Sequence, residues 1–269
     1  MATHTVSNQP VKTQSGHRAR RKRGLRKFLV TQRDRELLAF VAAHPFVLAS
    51  HVQAWLGSGR SVCYRRLDAL TNVGLLSHQR IFHAQPGCYQ VTNGGLGIAG
   101  STLPRPQVTL RTYVHDAGAP WLWLAAADPA TCRAERILTE REIRHLDQQA
   151  EPFEDRFGLG LVDPIAREGH RSHYPDVLAI LADGTRVAFE LELSQKSRRA
   201  LEQIFLAYSL DSRLRSVIYV TNHRRVASAL RKQIAAFGLG DLVEVRYFDR
   251  RPGSEYWSDW PRQAVTEVP

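Results

Sequence analysis

Residues 174–196 read YPDVLAILADGTRVAFELELSQK, and this stretch decides the fold. Ala182-Asp183-Gly184 is a tight turn between two apolar runs, so the segment predicts paired strands over 173–181 and 186–193. Side chains alternate across a strand. Phe189, Leu191 and Leu193 therefore face one way, and Glu190, Glu192 and Ser194 the other, joined by Lys196 where the strand stays regular that far. The turn brings Asp176 alongside Glu190, and Leu178 and Ile180 share the face of Asp176. Three carboxylates then converge on a locally apolar surface. A merely solvated strand face would instead spread polar residues along both strands. Crowded carboxylates repel unless a cation sits between them. A divalent metal is one answer, and a metal clamp on a phosphodiester is chemistry that needs it.

Outward from this hairpin, residues 131–250 alternate helix and strand. Thr139-x-x-Glu142 is a capping box opening a helix with Ile143 and Leu146 inward. FGLGLVDPIA (157–166) reads as a strand or hairpin. A helix over about 197–210 carries Leu201, Ile204, Phe205 and Tyr208. SVIYVT (216–221) is the continuous apolar run of a strand buried on both faces. A helix from about Arg224 to Gly238 and a last strand, VEVRYF (243–248), complete the order α-β-β-β-α-β-α-β. Glu140 and Glu142 are candidates for a further ligand, and His170 and His173 for hydrogen-bond or proton-transfer roles.

Residues 31–100 carry a different pattern. Thr31-x-x-Asp34 and Ser50-x-x-Gln53 open two helices, Gly57 and Gly59 break the chain, and a third helix runs over about 61–73 with Cys63, Leu67 and Leu70 inward, ending at Gly74. Two strands follow, 75–82 and 88–92. Helix, helix, Gly-containing turn, helix, hairpin is the order of a winged helix-turn-helix. The third helix is then the reading helix, offering Arg60, Tyr64, Arg65 and Arg66 to phosphates or guanine edges, with Arg80, His78 and His83 on the wing. His44 and His51 are read as histidines in ordinary polar surroundings. Between the two parts, residues 101–130 form a connector. Its Pro120 suits the first turn of a helix, so two short apolar helices are expected, with Trp121 or Trp123 in a core or interface. His115-Asp116 is a dipeptide of low specificity, read as structural.

The composition fits this division. The chain has 269 residues, 43% hydrophobic and 23% charged, and a net charge of +11. Seven of those positive charges, with no negative one, fall in Arg18–Lys27, which leaves 11 − 7 = +4 for the rest. Residues 1–30 are therefore a basic arm, disordered by composition, whose Arg20, Arg21, Lys22 and Arg23 suit a polyanion. A solvated tail is the plainer alternative. No apolar run is long enough to span a membrane, the first residues lack the apolar core of a secretory signal, and Cys63, Cys88 and Cys132 have no disulfide or zinc spacing, so a cytoplasmic protein without membrane partners is expected. Residues 251–269 are a tail.

Pro175-Asp176 followed by Glu190-Leu191-Glu192 resembles the PD-(D/E)xK nuclease superfamily, and Gln203 to Tyr208 is similar to a Gln/Tyr helix signature of some of its branches. With a winged helix in front, residues 31–250 resemble the replication-relaxation family of plasmid and mobile-element proteins. The resemblance implies an α/β fold class. It combines a separate α+β winged-helix domain with a C-terminal restriction-endonuclease-like α-β-β-β-α-β core. It also implies double-stranded DNA as partner, a homodimer on two half-sites among the arrangements, replication or transfer proteins as further partners, and Mg²⁺ or Mn²⁺ at Asp176 and Glu190 in an active member. The catalytic set is then Asp176, Glu190, Glu192 and Lys196. The pattern places Lys where this chain has Glu192. Three outcomes stay open: Lys196 supplies the ammonium, Glu192 binds metal itself, or the chain is a non-catalytic regulator or initiator accessory protein with a degenerate nuclease domain.

Overall fold

In the computed structural model, residues 29–83, 85–150, 156–161 and 171–247 are described. The chain divides after Val30 into two units. Of the first only Leu29 and Val30 are described, so Arg20, Arg21, Lys22 and Arg23 lie outside the described residues, as does His170. From Thr31 onward the described residues form one mixed α/β unit.

Helices α1 (Gln32–Ala42), α2 (Ala49–Leu56) and α3 (Arg60–Asn72) bury Leu37, Leu38, Val41, Val52, Leu56, Cys63, Leu67 and Leu70, the i, i+3, i+4 positions of their apolar faces. The Thr31/Asp34 capping box at α1 is formed. The one expected at Ser50/Gln53 is not: α2 begins at Ala49, and the His51 ring accepts the Leu48 N–H through Nδ1 at 3.0 Å. Residues 47–48 are held extended as strand β1 (Val47–Leu48), which moves the helix start forward. Gly74, at φ 76°, takes the left-handed position after α3. Strands β2 (Leu76–Gln79) and β3 (Cys88–Val91) form an antiparallel sheet in the order β1-β3-β2, and a short helix α4 (Asn93–Ala99) follows.

The connector departs from expectation. It holds one 14-residue helix, α5 (Tyr113–Ala126), with Pro120 inside it. Pro120 has no N–H to give the Asp116 carbonyl. Burial of Ala117, Trp121, Leu122, Ala125 and Ala126 along the helix outweighs that loss.

The second sheet has strands β4 (Ala134–Thr139), β7 (Val177–Leu181), β8 (Arg186–Leu191), β9 (Leu214–Thr221) and β10 (Val243–Tyr247) in the order β10-β9-β8-β7-β4. The pairs β4/β7 and β7/β8 are antiparallel, and β8/β9 and β9/β10 are parallel. Gly184 at φ 81° closes the β7–β8 turn. One face packs Val177, Ala179, Val187, Phe189 and Leu191 against Trp121 and Leu122 of α5. The other packs Leu178, Ala188, Val217 and Tyr219 against helices α6 (Glu140–Gln149), α7 (Arg198–Leu210) and α8 (Arg224–Ala236). The strand expected over 157–166 is only Leu159–Leu161 among the described residues. This β5 pairs with β6 (Arg171–His173), outside the central sheet. The strand expected over 173–181 is thus interrupted at 174–176, where Pro175 cannot donate to a ladder. The order from residue 131 is therefore β4-α6-β5-β6-β7-β8-α7-β9-α8-β10.

Candidate functional site

The acids meet where β7 begins and β8 ends. Asp176 precedes β7, outside the strand alternation. Its Oδ2 accepts the Leu191 N–H at 2.7 Å and lies 3.2 Å from His115 Nε2 of α5, while its carbonyl accepts the Glu140 N–H at 2.9 Å. Glu190, on β8, faces α7. Its Oε1 accepts from the Tyr208 hydroxyl and sits 2.7 Å from His173 Nε2. Glu192 follows the strand and accepts from the Lys196 ammonium. Lys196 arrives from the loop before α7, not from a continued strand. All three carboxylates are buried, at 8%, 3% and 3% exposure, so each needs a donor to remain charged.

Protonation follows these contacts. The Asp176 charge pushes His115 up to about 9, against burial and with help from Asp116 and Glu140. Burial works to raise Asp176, but the His115 charge, the Leu191 N–H and Lys196 hold it below the ordinary carboxylate value. For Glu192 burial wins and its carboxyl is raised despite Lys196, whose own ammonium is strengthened by Glu192 and Glu190 against burial. Burial works to lower His173, and the Glu190 charge overturns it to a net rise. Tyr208 is driven up by burial and by Glu190. The Tyr219 hydroxyl, whose residue is the register partner of Glu190 on β9, is buried with no hydrogen-bond partner among the described residues. An open cleft of about 470 Å³ reaches this edge, lined by residues including Arg111, His115, Glu192, Lys196 and His223.

The edge thus brings together Asp176, Glu190, Glu192 and Lys196, and adds His115, His173 and Tyr208. Sequence had set His115 aside, because its partner is the distant Asp176 and not the adjacent Asp116, which stands 4.0 Å away. Glu142 is occupied by the Thr139 capping box, and Glu140 pairs with Arg144. A divalent ion held by Asp176 and Glu190 does not fit this arrangement. At Asp176 it meets His115 on Oδ2, and at Glu190 it meets His173 and Tyr208 on Oε1, donors it would have to displace. Among the described residues no group of three or more His, Cys, Asp or Glu stands ready to hold a metal ion.

The helical part places its basic residues differently. Arg60, Tyr64 and Arg65 are exposed on α3, with the Arg60 guanidinium 5.4 Å from the Tyr64 ring centre. Arg80 is exposed just after β2. Arg66 instead forks onto Asp34 of α1, itself 2% exposed. The Asp34 carboxyl ends below its ordinary value, because Arg66 and Thr31 together overcome burial. His44 and His51 are not in polar surroundings. Both are buried, His44 against Phe40 and Trp123 and His51 edge-on to Trp121. Burial drives His44 down to about 4 and His51 well below the usual histidine value.

No protein-family model, curated protein or solved structure matches this chain.

Proposed function

We propose that the protein binds duplex DNA through α3, in the replication, relaxation or transfer of a plasmid or mobile element. In this reading α1, α2 and α3 with the β1-β3-β2 sheet are a winged helix-turn-helix, and α3 is its reading helix. The carrying observation is the exposed row Arg60, Tyr64 and Arg65 on α3, held at a fixed angle by the Arg66–Asp34 fork beneath it. Arginines so placed suit phosphates and guanine edges. The chain's surplus of positive charge, +11, suits the same partner.

The second sheet is read as a nuclease-like core. Its α-β-β-β-α-β order is α5-β4-β7-β8-α7-β9, with α6, β5 and β6 inserted between β4 and β7. The acids at the start of β7 and the end of β8 support that descent. Their occupation by His115, His173, Tyr208 and Lys196 favours a non-cleaving regulator or accessory protein in the arrangement described.

Electrophoretic shift of a labelled duplex in EDTA, beside a nicking assay on supercoiled DNA with Mn²⁺, tests both parts. Binding in EDTA without nicking is expected. Nicking that Asp176→Ala abolishes overturns the non-cleaving part, and absence of duplex binding overturns the whole reading.

A further inference from the structure

A second cavity, of about 250 Å³, lies in the helical part, between α1 and α3. Its apolar lining is Leu37 of α1, Leu56 at the end of α2, and Val62 and Ala69 of α3. Ala69 stands two turns on from Val62, on the same stripe of α3. Its methyl leaves space that a longer apolar side chain would fill. The charges around this space are unequal. Arg33, Arg65 and Arg66 line it, against Asp34 as the one carboxylate of the lining. Asp34 is already committed, because its oxygens accept from Thr31 and from the Arg66 fork. Neither Arg33 nor Arg65 is paired with a carboxylate among the described residues. Arg33 gives an N–H to the Leu56 carbonyl at 2.6 Å. That bond fixes the guanidinium at the cavity wall and leaves the rest of its fork to a ligand.

We infer that this cavity takes a small apolar carboxylic acid, its anion on Arg65 and Arg33 and its hydrocarbon body on Leu37, Leu56, Val62 and Ala69, and that the bound acid takes Arg65 away from DNA. The volume lies just under the range of about 300–1,000 Å³ that holds drug-sized ligands, so the occupant is a single ring or a short chain. A bare hydrated anion gains nothing from the apolar lining, and a cation is repelled by the two guanidiniums. A carboxylate matches a guanidinium fork, as Asp34 already shows on Arg66. The site itself is independent of the proposed function. Only the effect on DNA rests on that reading, since it is there that Arg65 contacts the duplex.

Isothermal titration of the full chain with phenylacetate, phenylacetamide and acetate, without DNA, tests the site. Phenylacetate is expected to bind at least about tenfold more tightly than the amide, which lacks the charge, or acetate, which lacks the ring. Arg65→Met keeps an apolar stem and is expected to lose most of the preference for acid over amide. Arg60→Met, on the same helix but outside the cavity lining, keeps it. Ala69→Leu fills the gap and abolishes binding. Absence of phenylacetate binding, equal binding of acid and amide, or acid binding that Arg65→Met and Ala69→Leu leave unchanged overturns the site. In an electrophoretic shift, saturating phenylacetate is expected to weaken wild-type duplex binding about fivefold, the loss expected of Arg65→Ala. Duplex binding that a bound acid leaves unchanged overturns the effect on Arg65. Titration as expected from a chain that binds no duplex upholds the site and removes the proposed function, so the two readings fail separately.

Discussion

Two regions of this protein handle charge in opposite ways. Helix α3 keeps Arg60 and Arg65 at the surface and spends only Arg66 inward, on Asp34. The end of β8 hides Glu190 and Glu192 and the neighbouring Asp176, each bonded to a donor of the chain. A solvated guanidinium contributes little to stability and is available to a ligand. A buried carboxylate is available to nothing until its partner leaves, and losing that partner is expensive. The contrast gives stability to one set of charges and, in the proposed function, DNA binding to the other.

The comparison breaks first at Asp34. Asp34→Ala removes the acceptor of the Arg66 fork and the Asp34 half of the Thr31 capping box together, and is expected to lose about 3 kcal/mol by urea unfolding. A loss no larger than that of a surface alanine places Asp34 among the solvated charges.

The buried histidines come next. The folded His44 value of about 4 lies below the ordinary 6.5, so between those pH values the unfolded chain binds the extra proton. Stability from keeping the ring neutral is therefore full above pH 6.5 and drains away as the pH falls to about 4, by up to about 3 kcal/mol. His51 adds in the same direction. His44→Asn should flatten this acid limb in unfolding midpoints measured across pH 4–7. An unchanged slope contradicts it.

Tyr208→Phe sharpens the picture at the acidic edge. It leaves the Glu190 carboxylate with His173 as its remaining side-chain donor among the described residues and is expected to lose about 1–2 kcal/mol by the same measurement. Stability equal to wild type shows that the hydroxyl is dispensable to Glu190.

The hairpin of β7 and β8, over 177–191, was legible because alternation and a Gly turn state it locally, and α7, β9, α8 and β10 were legible by run length and period. Strand β4 was not: AERILT is short and carries Glu135 and Arg136 among its apolar residues, so burial by its neighbour β7 makes it a strand. Pro120 read as a helix start, because the packing that tolerates it inside α5 is tertiary. The acids of the site were visible as a pattern, but their partners were not. His115 reaches Asp176 only after α5 lies on the sheet. Arg66 looked like Arg65, and only the approach of α1 separates them.

The smallest single effect, and the most direct probe of DNA recognition, lies on α3. Arg65→Ala is expected to weaken duplex binding by about 1 kcal/mol, to leave unfolding unchanged, and to reduce the salt slope by about one. The decisive measurement is that slope for the double variant Arg60→Ala/Arg65→Ala beside Arg225→Ala/Lys232→Ala, which removes the same charge from the exposed face of α8. If α3 is the DNA-reading helix, the first pair lowers affinity and reduces the slope by about two, while the second leaves both near wild type. Equal losses from both pairs, or none from the first, contradict it.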